Sequence, residues 1–282
     1  MTDKVNYEVG EYNDGSKVLP EGAFRISPSG MGKFFSDKRA WYGENLLGED
    51  VKFDGSTSSE LGTIIHHVAE VVANCKTVGE SYDSAKLHLA VNNYISKLDT
   101  DKYDISTINT LWKSMGELLV KEYVLETNTL ITEPFVYHEL LPGIFPSGSI
   151  DAITSSAPID TWEDALNGTN VGVLTVRDFK TTSTKPSSMS YPYTLQIYTY
   201  AYLLRKMGVN ITEVELCFVV RPTKTLPART FNFKKPFDDQ AYKFIEGILN
   251  LIAESVQAWY QFPSCRYLLA CDYRLKTEDL PN

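Results

Sequence analysis

The strongest constraint on the fold is a change of periodicity near residue 129. From there, β-branched segments alternate with helical ones. "TLITEPFVYHELL" (129–141), "FPSGSIDAITS" (145–155) and "VGVLTVRDFKTT" (171–182) read as three consecutive strands. A helix follows at 187–208, a strand at 212–222, another at 228–236, and a long amphipathic helix at 238–262. The first half is helical. "SSELGTIIHHVAEVVANC" carries an apolar stripe of Leu61, Ile64, Ile65, Val68, Val71 and Val72, and further helices are expected over 83–98 and 106–127. Helices first, then a strand meander, a helix and more strands, predict an α/β (α+β) protein with a central mixed sheet flanked by helices.

Three regions follow: an arm at 1–26, a helical region at 27–128 and a core at 129–282. Ser27 or Ser29 is the expected N-cap of a short helix in "RISPSGMGKFFSDKRAWYGENLL". The stretch "SAPIDTWEDALNGTN" reads as an inserted loop or short helix.

Composition narrows the function. The 282 residues carry a net charge of −9, which favours solubility and opposes non-specific binding to polyanions. A nucleic-acid ligand would need a local basic groove. No apolar run approaches the ~20 residues of a membrane span. The acidic N-terminus resembles neither a secretory nor a mitochondrial leader, so a cytoplasmic location is expected. Four scattered cysteines do not make a disulfide scaffold, and Cys75 and Cys217 fall where buried apolar residues belong.

The chemistry-bearing positions are few. In "TVRDFKTTS", Val176, Asp178 and Lys180 share one strand face, with Arg177 and Phe179 on the other. Such a pair is either a surface ion pair worth roughly 0–1 kcal/mol or a metal ligand beside a cation that orients water. His66 lies in a stripe of small residues, Gly62, Ala69 and Ala73, that would let its helix approach another element closely. Neighbouring His67 falls on the polar side and is expected at the surface. Asp151 interrupts a strand, as a turn residue or as a buried carboxylate needing a partner or a metal. Glu133 opens the preceding strand. Gln196 and Tyr200 share one helical face, with Tyr198 and Tyr202 offering another.

The order of these positions is more specific than any one of them. Gly62-x3-His66, Glu133, Gly148-x2-Asp151, Asp178-x-Lys180 and Gln196-x3-Tyr200 follow one another along the chain. This resembles the RecB-type branch of the PD-(D/E)XK nuclease superfamily, over about residues 27–275. That branch includes CRISPR-associated RecB-like nucleases, phage exonucleases and the mitochondrial genome maintenance exonuclease.

The resemblance implies a restriction-endonuclease-like core and metal-dependent hydrolysis of phosphodiester bonds. Mg²⁺ or Mn²⁺ would be held by His66, Asp151, Asp178 and the backbone carbonyl of Phe179. Lys180 would position and deprotonate water, and Gln196 and Tyr200 would hold the DNA backbone or the lysine. Glu133 would act behind the metal ligands or in a second metal site. The iron–sulfur subset of the family has four cysteines. Here Asp37 stands at the early position, and only Cys265 and Cys271 remain in "FPSCRYLLACDYR", so no cluster is expected.

The resemblance further implies a DNA exonuclease preferring single strands or ends, working in recombination or repair as a stand-alone, phage-type enzyme. A single-strand-annealing or recombination protein would be its partner. The alternatives are a flap or branch endonuclease and a catalytically idle DNA-binding subunit. Basic residues available for a groove include Lys33, Lys38, Lys185, Arg221, Lys224, Arg229, Lys234 and Lys235. Phe34, Phe35, Trp41 and Tyr42 lie among the first of them, as a stacking track or as a buried aromatic side.

Overall fold

The computed structural model describes residues 5–9, 19–48, 55–158, 160–168, 172–263 and 266. The chain enters through β1 (Phe24–Ile26), a 3-10 turn at Pro28–Gly30, and two short helices, α1 (Met31–Ser36) and α2 (Lys38–Leu46). Ser27 precedes the turn but its side chain makes no cap bond. The working cap is Asp37, whose carboxylate accepts from the Ala40 N–H at 3.0 Å and starts α2.

Three longer helices follow. α3 (Thr57–Thr77) opens with a reciprocal capping box between Ser56 and Ser59. α4 (Ser84–Ser96) and α5 (Ile105–Leu119) are capped by Asp83 and Asp104. Where the sequence suggested one helix to 127, α5 ends at Leu119 and passes into a π-turn at Val120–Leu125.

The strand meander is more broken than its β-branched composition suggests. The first expected strand is two, β2 (Asn128–Thr132) and β3 (Phe135–Tyr137). They part at Glu133, whose backbone is left-handed (φ 50°), followed by Pro134, which has no N–H to donate. The second is also two, β4 (Ile144–Ser149) and β5 (Ala152–Ser155), parted at Ile150–Asp151. These two breaks let the chain serve two sheets. One has the order β1-β4-β3.

The inserted segment holds α6 (Trp162–Leu166), with Thr161 and Asp164 forming its capping box. Then come β6 (Leu174–Thr182), α7 (Tyr191–Lys206), β7 (Ile211–Val220), β8 (Arg229–Pro236) and α8 (Asp239–Gln261). The second sheet has the order β2-β5-β6-β7-β8. Only β6 and β7 are parallel in it, and α7 is their crossover helix.

Alternation along these strands builds a core on each face. Val176, Val214 and Leu216 meet Leu195, Leu203, Ile245 and Ile252 from α7 and α8. Phe179, Cys217 and Val219 meet Ile64, Ile65, Val68, Ile108 and Met115 from α3 and α5. Each such aliphatic side chain contributes roughly 1.5–3 kcal/mol by burial.

Cys75 and Cys217 are buried, as expected of apolar packing residues. Cys265 and Cys271 lie outside the described residues.

One buried polar group fixes the register of the central strands. Arg177 Nε donates to Glu215 Oε2 at 2.8 Å across the β6–β7 pair, and Asn232 of β8 donates to Glu215 Oε1 at 2.6 Å. Arg177 Nη1 also donates to the Tyr123 carbonyl in the π-turn at 2.8 Å. The ion pair is fully hydrogen-bonded, the condition under which burying it is tolerable.

Candidate active site

β6 delivers Asp178 and Lys180 to the face that packs on α7, opposite Leu216 and Phe218 of β7. Lys180 Nζ stands 2.6 Å from Asp178 Oδ2, and the Asp178 side chain is only 2 % exposed. That ion pair is what holds Oδ2: among the described residues no other group hydrogen-bonds this buried oxygen. The other oxygen, Oδ1, accepts from Gln196 Nε2 at 3.2 Å, and the same amide nitrogen reaches the Tyr200 hydroxyl at 3.2 Å. Gln196 and Tyr200 therefore act together from one face of α7, and both are buried. Gln196 grips the acid, where the sequence pointed to the lysine or the substrate.

Asp151 arrives from the break between β4 and β5. Its Oδ2 accepts from the Phe179 N–H at 2.5 Å, which ties it to the strand between Asp178 and Lys180. His66 comes from α3. Its Nδ1 lies 3.6 Å from Asp151 Oδ2, beyond hydrogen-bond reach, and the imidazole hydrogen-bonds the Phe179 backbone. Two glycines make the approach possible. A Cβ on Gly62 would stand 3.2 Å from Thr181 Oγ1, so α3 can press its His66 face onto β6. A Cβ on Gly148 would stand 3.0 Å from Tyr200 Cε1 and 3.4 Å from Pro28 Cδ, so the Tyr200 ring can lie against β4.

Glu133 joins His66 and Asp151 in lining a small enclosed cavity beside Phe179. Glu70, one turn beyond His66 on α3, lines it too. Sequence reasoning missed Glu70. The available signal was an acid in an otherwise apolar helical run, four residues after a candidate ligand. His67 was misplaced in the other direction. It is 5 % exposed, and its Nε2 lies 2.8 Å from the Tyr7 carbonyl, a partner brought from far away in sequence.

Burial dominates the electrostatics. It pushes the Asp178 carboxyl up to about 6, against the attraction of Lys180 and with the repulsion of Asp151. Asp151 is raised for the same reason. Burial would lower Lys180, but Asp178 and Asp151 outweigh it and hold the ammonium protonated. Burial and Lys180 push His66 down to about 4, so its imidazole is neutral at neutral pH. Two carboxylates thus share one ammonium in a desolvated pocket, and one negative charge is left over for a cation.

By the chemistry of these donors the site fits a divalent cation. It offers two hard carboxylates, one with a buried oxygen that only an ammonium meets, beside a neutral imidazole and a backbone carbonyl. Among the described residues, no group of three or more His, Cys, Asp or Glu side chains forms a closed metal site.

A sequence model of the PD-(D/E)XK nuclease superfamily matches residues 25–274. The chain belongs to the PD-(D/E)XK nuclease superfamily. The crystal structure of a protein from Eubacterium rectale, described as a candidate exonuclease, superposes with a TM-score of 0.50. That superposition is at 12% identity over 83% of this chain and 80% of the other, a likeness of fold. LHK-Exo, solved in complex with dAMP, is similar at 16% identity over 71% of this chain and 93% of its own, with a TM-score of 0.34. No curated protein matches.

The nuclease has the restriction-endonuclease-like architecture that the sequence suggested, a mixed α/β fold with mixed sheets flanked by helices. Among its described residues, no helix is long and apolar enough to cross a membrane. The early basic and aromatic segment is mostly packing. Phe34, Trp41 and Tyr42 are buried, Lys33 pairs with Glu44, and Lys38 lies over the Phe34 ring at 4.8 Å.

Proposed function

We propose that the protein is a metal-dependent DNA exonuclease of the RecB-type branch, acting on single strands or DNA ends in recombination or repair. The observation that carries this reading is the Asp178–Lys180 pair, a buried carboxylate oxygen 2.6 Å from an ammonium. Asp151, Asp178, His66 and the Phe179 carbonyl would hold Mg²⁺ or Mn²⁺, and the imidazole inclines the set towards Mn²⁺. Bound there, the cation would supply Lewis-acid charge and a more acidic water.

The chain's own residues do the rest. Lys180 holds its charge beside Asp178, where it can orient a water and stabilise the negative charge that develops on a phosphate. Asp151 fixes the strand backbone between the two by its bond to the Phe179 N–H. Gln196 locks the Asp178 carboxylate, and Tyr200 locks Gln196. His66 stays neutral and so keeps a lone pair for coordination. Glu133 and Glu70 add negative charge to the cavity behind Asp151. No residue of this constellation has decayed, which speaks against an idle binding subunit.

Digestion of end-labelled and circular DNA, single- and double-stranded, with Mg²⁺ or Mn²⁺ tests the reading. Nucleotide release from linear substrates with circles spared is expected. Cleavage of circles would make it an endonuclease, and no cleavage of any substrate would overturn the assignment.

A further inference from the structure

The chemistry above leaves Lys185, Arg229 and Phe231 unused. The strand register places Lys180, Phe218 and Phe231 in one row across the sheet, and Thr182, Val220 and Arg229 in the next. Paired residues on neighbouring strands share a face. Phe231 and Arg229 therefore lie on the Lys180 face, two strand spacings or roughly 10 Å away. Tyr193 of α7 bridges the interval. Its ring centroid is 5.9 Å from that of Phe218 and 5.5 Å from Lys180 Nζ. At the far end, Lys185 Nζ stands 4.9 Å from the Phe231 centroid, and the Arg229 guanidinium carbon stands 5.9 Å from it.

Several cations of this acidic chain are paired: Lys33 with Glu44, Lys206 with Glu246, and Lys234, next but two along β8 from Phe231, with Glu213. Among the described residues, Lys185 and Arg229 have no acidic partner. Arg229 Nε is buried without an acceptor. Two cations held against one ring repel each other, and a guanidinium N–H withdrawn from water without an acceptor is costly. An anion seated between them relieves both.

Resting on the reading of the site as a DNA nuclease, we propose that Lys185 and Arg229, positioned on the Phe231 ring, bind a backbone phosphate of the strand cut at Lys180. Guanidinium and ammonium are the groups that recognise phosphate. The Tyr193–Phe218 row sets the distance from this subsite to the reacting bond.

The test is salt-dependent binding of a labelled single-stranded phosphorothioate oligonucleotide in calcium, alongside hydrolysis of bis(4-nitrophenyl) phosphate, too small to reach the subsite. Lys185→Gln with Arg229→Gln should lower the slope of log affinity against log salt by about 0.7, the loss of one phosphate contact on a single strand. It should leave hydrolysis of the small diester unchanged. Lys185→Arg with Arg229→Lys should keep the wild-type slope. An unchanged slope in the glutamine pair, or an equal loss of small-diester hydrolysis, would overturn the subsite and leave the nuclease reading intact. Failure of the wild-type protein to bind the oligonucleotide would overturn both.

Discussion

Gln196 Nε2 donates to Asp178 Oδ1 at 3.2 Å, so the helix that follows the central strand holds its acid in place. Asp178 is buried, and its other oxygen is held by the Lys180 ammonium. Gln196→Ala would leave Oδ1 without a donor, losing a bond to a charged group worth about 1.5–3 kcal/mol. If the loss falls on the transition state, turnover should drop by about one to two orders of magnitude, since each 1.36 kcal/mol is a factor of ten. DNA binding in calcium should be unchanged. Steady-state kinetics separate the two quantities. Weakened binding with turnover retained would place Gln196 on the substrate instead.

Gly148 is the point where β4 gives way to the Tyr200 ring. A Cβ there would meet Tyr200 Cε1 at 3.0 Å, and the ring, itself buried, has little room to retreat. Gly148→Ala should destabilise the fold by about 1–3 kcal/mol, as overpacking does. In a double-mutant cycle by urea unfolding, Tyr200→Ala should recover much of that loss. Additive effects would mean the two residues do not press on each other.

The parts of the site legible in the sequence are those set by local periodicity. Alternation alone put Asp178 and Lys180 on one face, and four-residue spacing put Gln196 beside Tyr200. The glycines of two boxes, Gly62 and Gly148, prove to be places of close approach to Thr181 and Tyr200. What depended on distant partners was not legible. Pro134 and Asp151 were local signs of an interruption, but that each strand divides there between two different sheets depends on partners far away in sequence. His67 looked polar-facing because its partner, the Tyr7 carbonyl, is 60 residues away. Glu70 drew no notice because the cavity it lines is completed by other elements.

The pH dependence of stability, with divalent cations removed by chelator, checks the electrostatics of the pocket. The Asp178 carboxyl is raised from 3.8 to about 6, so its contribution is fully present at low pH and is lost as pH rises through 6. His66 is lowered from 6.5 to about 4, so its contribution is present above 6.5 and is lost as pH falls towards 4. The two oppose each other between pH 7 and 5, by about 1 kcal/mol for Asp178 and about 2 kcal/mol for His66. Wild-type melting temperature should therefore change little over that range. His66→Gln removes one side of the balance, so its melting temperature should rise as pH falls from 7 to 5. A fall of the same size as in other acid-sensitive proteins would mean that burial does not raise the Asp178 carboxyl.

The most direct measurement of what the Asp178–Lys180 pair does is the rate at which Lys180→Ala releases end-labelled nucleotides from linear DNA, beside its thermal melting. Among the described residues the ammonium is the only cation touching Asp178 Oδ2. Removing it should abolish cleavage while the protein still melts cooperatively as a folded chain. Digestion by the folded variant at the wild-type rate would contradict a catalytic role for the pair.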